Sequence, residues 1–536
     1  MENSYNLIFE KWIPTNTGFS SIMDCIENES ICWVGSTAKE SLCIINLLKA
    51  IAHASNNFNT DEDITNTPLE QFKANIINYL NNNKDKFYLY GDHPFLQFIK
   101  LNEYNKNEYK VECKISQIHQ ENSGDGICVY DVNNYYNHEY TDKEKAMLLV
   151  TNNGGCNISF KAFGKSTKDF KKPNNKMIVF TKDEKYEPSS VNTIPGPLVG
   201  KEGYLHAFIM GGSILQSIYI NMFSEEKIKD IGYGCLGTPP WDYENMDETC
   251  DYKNMFYSSL IPMNNFILFN KDDNFNFRIK QGIEYRIAVP YIEKGVQKYN
   301  YYFDNIIRIP TIFVYQKTIK DKNNSDEQKV WKIIGSSEKN NIAFSFKDYI
   351  NYMSDSKGIE WNNSIINSQV IIDNYGFDIN KFEIIFINIK YIDNTGLNYL
   401  QKEEIRSIDC NTIIYKDENR FFDYCSFVDK ANDLIAVYSK KIRKLMDFKD
   451  EKNNAFQSCK YNFEQECNTY LNKCYFEIWS IEKIIDRDAE YKNAYIKIRS
   501  IFEKTIQLDV PFKRGEKLMM LEEIDKIFNK NNKKVS

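Results

Sequence analysis

The chain has 536 residues, 42% hydrophobic and 26% charged, the balance of a globular protein with room for more than one core. Its formal net charge of −7 argues against a stand-alone binder of bare duplex, which uses surplus Lys and Arg to displace counterions from phosphate. No apolar run reaches the roughly 20 residues of a membrane span. Met1-Glu2-Asn3-Ser4 lacks the basic and apolar regions of a secretory signal, so a cytoplasmic protein is expected.

Asn6-Leu7-Ile8-Phe9-Glu10-Lys11-Trp12-Ile13-Pro14 reads as a short strand ended by proline. Thr37-Ala38-Lys39-Glu40 has the form of a capping box, followed by Leu42, Ile45, Leu48 and Ala52 on one helical face. A second helix is expected over about Gln71–Asn81, then a turn with an aromatic anchor at Tyr90-Gly91-Asp92-His93-Pro94-Phe95-Leu96-Gln97. Glu103–Tyr140 is irregular and polar, and long ordered loops tend to carry function. Thr141-Asp142-Lys143-Glu144 is a second capping box. Its helix, Ala146 to Thr151, runs into Asn152-Asn153-Gly154-Gly155, a glycine terminus. A lysine-rich stretch follows, with Lys161, Lys165, Lys168, Lys171, Lys172 and Lys176 against the single acid Asp169.

Gly211-Gly212 opens an apolar helix from Ile214 to Phe223. From Trp241 to about Tyr415 the pattern reads as strands, including Phe266-Ile267-Leu268-Phe269, Ile306-Ile307-Arg308-Ile309 and Phe382-Glu383-Ile384-Ile385-Phe386. Beyond Glu418 helical spacing takes over. Phe421, Tyr424, Val428, Ala431, Ile435, Tyr438, Ile442 and Leu445 form the first stripe, and Phe463, Cys467, Leu471, Tyr475 and Ile478 the second. Tyr491, Tyr495, Ile498 and Phe502 form the third, and Leu518, Leu521, Ile524 and Phe528 the fourth. The expected fold is therefore α+β: an irregular mixed N-terminal domain over 1–415, then a C-terminal four-helix bundle over 416–536.

Signals for catalysis are weak. The 13 cysteines include no C-x-x-C pair, and Cys43, Cys467 and Cys474 on apolar helical faces read as buried reduced thiols. Five histidines supply no metal-ligand spacing. Phe163-Gly164-Lys165-Ser166-Thr167 ends like a phosphate-binding loop, but Ser159 stands where its first glycine belongs. Asp393-Asn394-Thr395-Gly396 hints at a calcium loop, but Asn398 stands where its glycine belongs. Asp61-Glu62-Asp63 offers carboxylates for a metal, although a solvated loop is much the better account of such a run. No cofactor, metal or catalytic residue is expected.

Several landmarks, taken in order, resemble one family. Asn6-Leu7 with Trp12-Ile13-Pro14 is similar to the N-L-x-x-x-W-I-P opening of the CasA family, the large subunit of the type I-E CRISPR Cascade complex. His93-Pro94-Phe95-Leu96-Gln97 resembles its H-P-F-x-Q turn. Asn137-His138-Glu139-Tyr140 with the helix from Thr141 and Gly154-Gly155 resembles its loop, helix and glycine loop. Gly212-Ser213-Ile214-Leu215-Gln216-Ser217 through Asn221 resembles its R-G-x-x-L-x-x-T-x-x-x-N helix, with Gly211 in place of Arg and Ser217 in place of Thr. Pro240-Trp241-Asp242 resembles its P-x-W element.

The resemblance implies a non-enzymatic subunit that partners other Cascade subunits and CRISPR RNA. It implies reading of a protospacer-adjacent motif (PAM) in double-stranded target DNA, help in starting strand separation, and help in recruiting a helicase-nuclease, while guide pairing reads the remaining sequence. It maps the glycine loop onto Asn153, Gly154 and Gly155, where glycine lets backbone approach a shallow minor groove. The same residues also suit a plain helix cap. It maps a lysine finger onto Lys280, which equally suits a hairpin edge, and a strand-separating wedge onto Asn394 and Thr395, where the family's Gln is missing. Tyr130, Tyr135 and Tyr136 fall in the segment that contacts RNA and the neighbouring subunit. Lys161, Lys165, Lys168, Lys171 and Lys172 could neutralise phosphate beside the motif, or simply solubilise an insert. Lys440, Lys441, Arg443 and Lys444 could guide the displaced strand, or stabilise a helix C-terminus. The alternatives are the large subunit of another type I subtype and a metal-dependent nuclease using Asp61 and Asp63.

Overall fold

The computed structural model describes residues 3–102, 112–114, 138–153, 158–159, 178–179, 193–194, 198, 204–243, 251–281, 283, 286–293, 296–303, 309–312, 314–320, 327–333, 363–394, 397–410, 418–445, 454–479, 481 and 484–509. The described elements form two compact units, one ending at Cys410 and one built from the long helices after Asn411. The first is mixed helix and strand and the second is helical, the α+β class expected.

The first unit opens with β1 (Ser4–Asn6), β2 (Ile13–Thr15) and β3 (Gly18–Ser20). The single strand expected over Asn6–Pro14 is instead a strand end, a turn and a second strand. Asn6 causes the break: its Oδ1 accepts from Ile8 N at 3.0 Å, and its carbonyl accepts from Phe9 and Glu10. Leu7, Ile8, Trp12 and Ile13 are all buried, so the apolar run serves the core without pairing as one strand.

Then come α1 (Ile22–Glu27), α2 (Ala38–Ser55), α3 (Asp61–Asn66) and α4 (Leu69–Asn82). Helix α2 is apolar nearly all round and lies in the core, as such helices must. Thr37 caps it by accepting from Glu40 N at 3.2 Å, but the Glu40 carboxylate accepts from Ser36 N, one residue earlier than a capping box requires. Helix α4 buries Phe72, Ile76 and Leu80, every fourth residue. Strand β4 (Tyr88–Tyr90) pairs antiparallel with β1.

After β5 (Glu112–Lys114), helix α5 (Asp142–Asn153) extends beyond the expected Ala146–Thr151 at both ends. Next are β6 (Ile158–Ser159), β7 (Ile178–Val179), β8 (Thr193–Ile194), β9 (Tyr204–Met210), α6 (Ile214–Ile220) and α7 (Glu225–Asp230). Ser213 caps α6, and Asn221 follows it. The helix ends at Ile220, short of the expected Phe223, because Asn221 is committed to the core. Its Nδ2 donates to the carbonyls of Ile209 (2.6 Å) and Ser217 (2.8 Å), and its Oδ1 accepts from Ser364 and Ser368.

The remainder comprises α8 (Tyr257–Leu260), β10 (Asn265–Phe269), β11 (Asn276–Gln281), β12 (Arg286–Glu293), β13 (Val296–Phe303), β14 (Val314–Lys320) and β15 (Glu327–Ile333). Helix α9 (Asn363–Tyr375), β16 (Glu383–Asn394) and β17 (Leu397–Asp409) complete it. Helix α9 departs from the all-strand reading of this region. Its Ile and Val residues favour strand, but the buried Ser364, Ile365, Ser368, Ile371 and Ile372 recur at helical spacing, and packing overrides propensity. The sheets are small, with orders β10-β11-β5, β13-β12-β7 and β17-β16-β9.

The second unit contains α10 (Glu418–Leu445), α11 (Asn454–Trp479) and α12 (Ile484–Asp509), each packed on the other two. Val428, Ala431, Ile435, Tyr438 and Ile442 are buried on α10, Phe463, Cys467, Leu471 and Ile478 on α11, and Tyr491, Ile498 and Phe502 on α12. Tyr438 stacks on Phe502 at 4.4 Å, with Phe463 edge-on to Phe502 at 5.7 Å. The fourth expected stripe, Leu518 to Phe528, lies outside the described residues. Cys43, Cys467 and Cys474 are buried and form no disulfide, and burial pushes the Cys467 thiol up.

Candidate nucleic-acid interface

Helix α5 is fastened at both ends. At its start the Glu144 carboxylate accepts from Thr141 N (2.8 Å) and Thr141 Oγ1 (2.7 Å), and lies 3.0 Å from His138 Nε2. Lys145, one residue on, is fully buried. Its ammonium donates to Tyr90 Oη (3.2 Å), the Asp273 carbonyl (3.0 Å) and Asn274 Oδ1 (2.8 Å). Burial lowers the Lys145 pKa, and the charges of Asp142 and Asp273 oppose that shift. Tyr90 Oη in turn donates to Asp142 Oδ1 at 2.7 Å.

At its other end the last carbonyls of α5 need partners from outside the helix. The Asn152 carbonyl accepts from Asn265 Nδ2 on β10 at 3.1 Å, and Asn153 Nδ2 donates to the Leu96 carbonyl at 3.0 Å. Leu96 sits at φ 52°, a conformation that costs a leucine free energy and persists because its neighbours hold it. Gln97 supplies that restraint: Nε2 donates to the Leu89 carbonyl (2.6 Å), and Oε1 accepts from Phe269 N (2.7 Å). The anchor expected at this turn is real, with Phe95 stacked on Phe87 (4.8 Å) and on Trp241 (5.7 Å).

Two hairpins carry the remaining sequence-derived candidates. In one, β10 and β11 pair antiparallel, with Asn265 opposite Gln281 and Phe266 opposite Lys280. In the other, β16 and β17 pair along their full lengths, with a register shift at Lys390/Tyr391 and Asn394 opposite Leu397 at the end.

Solved structures share this architecture. The chain aligns over 99% of its length, and 99% of the other chain's, with CasA (Cse1) of Thermus thermophilus at TM-score 0.62 and 12% identity. Cse1 of Thermobifida fusca aligns at TM-score 0.64 and 11% identity, covering 94% of this chain and 91% of that one. This chain has the CasA (Cse1) fold. A chain of a CRISPR RNA-guided surveillance complex also matches, at TM-score 0.56 and 10% identity over 94% of this chain and 98% of that one. No family model and no curated protein matches the sequence.

Within the CasA fold the sequence-derived site residues fall as follows. Asn153 ends α5, fully buried, directly before Gly154 and Gly155. Lys280 lies on β11, and Asn394 ends β16. Lys440 is exposed and Lys441 half-buried on α10, which also carries Arg443 and Lys444. Gly154, Gly155, Thr395, Tyr130, Tyr135, Tyr136, Lys161, Lys165, Lys168, Lys171 and Lys172 lie outside the described residues. Asp61-Glu62-Asp63 is neither a loop nor a ligand cluster but the first turn of α3. Asp63 Oδ2 accepts from Asn59 N and Thr60 N, each at 2.9 Å, and Asp61 Oδ1 accepts from Ser224 Oγ. Among the described residues no three His, Cys, Asp or Glu side chains are grouped to hold a metal.

The sequence reading missed Lys145 and Asn265. Lys145 carried a faint signal, a lysine on the same helix face as Leu149 and Asn152. Asn265, directly before an apolar strand, carried none.

Proposed function

We propose that this chain is the CasA-type large subunit of a type I-E CRISPR RNA-guided surveillance complex, a binding and interaction protein of the cytoplasm rather than an enzyme. In this reading it joins other Cascade subunits and CRISPR RNA and reads a PAM in double-stranded target DNA. It helps start strand separation and helps recruit a helicase-nuclease. The observation that carries the reading is end-to-end alignment with the CasA fold, 99% of both chains, by a sequence whose motifs occur in CasA order.

Gly154 and Gly155, Lys280, and Asn394 with Thr395 are the proposed motif readers, with Asn153 the buried helix end that leads into the glycines rather than a reader itself. The lysines after Gly155 and those on α10 are the proposed phosphate contacts, and Tyr130, Tyr135 and Tyr136 the proposed RNA and subunit contacts. Local basic groups on an acidic chain suit a subunit whose partners supply the remaining phosphate contacts. The nuclease alternative is disfavoured because Asp61 and Asp63, its would-be ligands, are engaged in capping and in the bond from Ser224.

The test is a gel shift with the purified chain added to its cognate guide RNA and remaining subunits. The targets share one protospacer and differ only in the flanking three base pairs. The expected result is flank-dependent binding, each wrong pair weakening it by about 1–3 kcal/mol, and loss of that dependence in the Gly154→Asp, Gly155→Asp double variant. Equal binding to every flank by the assembled wild-type complex overturns the reading.

A further inference from the structure

We propose that Lys145 and Asn265 are positioning residues that lock α5 against the β10–β11 hairpin, so that the end of α5 at Asn153 and the strand carrying Lys280 are presented to duplex DNA in one fixed relation. The inference rests on the motif-reading function proposed above and adds which side chains set its geometry.

The two motif-reading elements are far apart in sequence, and a small set of contacts joins them. Asn265 donates to the Asn152 carbonyl across 113 positions of sequence, and its strand neighbour Phe266 is the register partner of Lys280. At the opposite end of the same hairpin, Lys145 binds the turn after β10 through the Asp273 carbonyl and Asn274 Oδ1, across 128 and 129 positions. The fasteners are about 10 Å apart along the helix, given 1.5 Å per residue. The five residues of β10 span about 13 to 17 Å. Pinning a helix to a hairpin at both ends blocks sliding and rocking together.

Stability alone would not select these side chains. Asn265 is fully buried, yet its Oδ1 has no hydrogen-bond partner among the described residues, and the same holds for Asn153 Oδ1. An apolar residue of similar size would avoid that desolvation cost. Two of the three described non-glycine residues with positive φ, Leu96 and Met263, border this junction. The Leu96 carbonyl accepts from Asn153 at the end of α5, and Met263 lies two residues before Asn265. Backbone strain gathered around one element points to a geometry kept for what it does.

The experiment uses the assembled complex with Asn265→Leu and, separately, Lys145→Met. Binding is measured to closed duplexes with favoured and disfavoured flanks, and to the single-stranded target, which presents no duplex flank. Each variant is expected to join the complex and bind single strand within about twofold of wild type, while its preference between flanks falls about tenfold, the scale of one buried hydrogen bond. Undiminished flank preference in both variants overturns the inference, as does a parallel loss of single-strand binding, which would mark a role in folding alone. If Asn265→Leu does not fold, Lys145→Met decides. No flank preference in the wild type instead removes the motif-reading function, and this inference with it.

Discussion

The C-terminal helices and the junction around α5 hold their parts in place by different means. On α10, α11 and α12 the contacts are apolar stripes at helical spacing, with Tyr438 stacked between α10 and α12 on Phe502. Around α5 the fasteners are single polar side chains, Lys145, Asn153, Asn265 and Gln97, each directed at a backbone or side-chain oxygen or N–H in a distant segment. Apolar stripes tolerate adjustment because burial is non-directional. Buried hydrogen bonds specify one geometry and cost free energy when misplaced. The first arrangement suits a scaffold, and the second suits a surface whose residues must be placed to a fraction of an ångström.

The comparison breaks most forcefully at Phe502, where Phe502→Ala removes the ring that Tyr438 and Phe463 pack on. The helical unit should lose about 3–5 kcal/mol, read by helical circular dichroism in urea. If the loss is under 1 kcal/mol, the apolar stripes are not what holds that unit.

Lys49 sharpens the contrast from the other side, as a charge placed inside α2. It is fully buried, its ammonium 5.9 Å from the Phe223 ring, and burial pushes its pKa down to about 8 from 10.5. Four residues on, burial and the Lys49 charge push His53 down to about 3. The folded state binds the Lys49 proton less tightly than the unfolded state does, so the penalty is complete below pH 8 and fades as pH rises towards 10.5. Lys49→Met is therefore expected to raise stability by about 2–3 kcal/mol at pH 7. The gain should shrink on titration to pH 10.5, measured by denaturant melts across that range.

The smallest effect is expected at Trp241, which combines both modes: it stacks on Phe95 and donates from Nε1 to Tyr79 Oη at 2.8 Å. Trp241→Phe keeps an aromatic ring and loses the bond. The urea midpoint should fall by the equivalent of about 1 kcal/mol with an unchanged slope.

Legibility followed the same division. The stripes on α10, α11 and α12 could be read because each repeats within one helix. The two strands at Phe266–Phe269 and Phe382–Phe386 were legible as β-branched and aromatic runs. Helix α9 was misread because its Ile and Val residues prefer strands in isolation. The opening segment was misread because Asn6 turns the chain with its own side chain. Of the candidate site, the helix leading to Asn153 and the hairpin strand carrying Lys280 were visible, whereas the residues that bind them together were not.

By itself the sequence determined the helical C-terminal unit, the starts of α2 at Thr37 and of α5 at Thr141, the anchored turn at Phe95 and the order of motifs along the chain. These depend on neighbours within a few residues, where side-chain period and local hydrogen bonding dictate the outcome. Only the tertiary structure decided that the Asn152 carbonyl finds Asn265, that Lys145 closes the β10–β11 turn, and that Asp61 and Asp63 serve α3 rather than a metal. A buried donor must find whichever acceptor the packed chain brings to it. For Asn265 that acceptor lies 113 residues away, a distance over which no local pattern in the sequence extends.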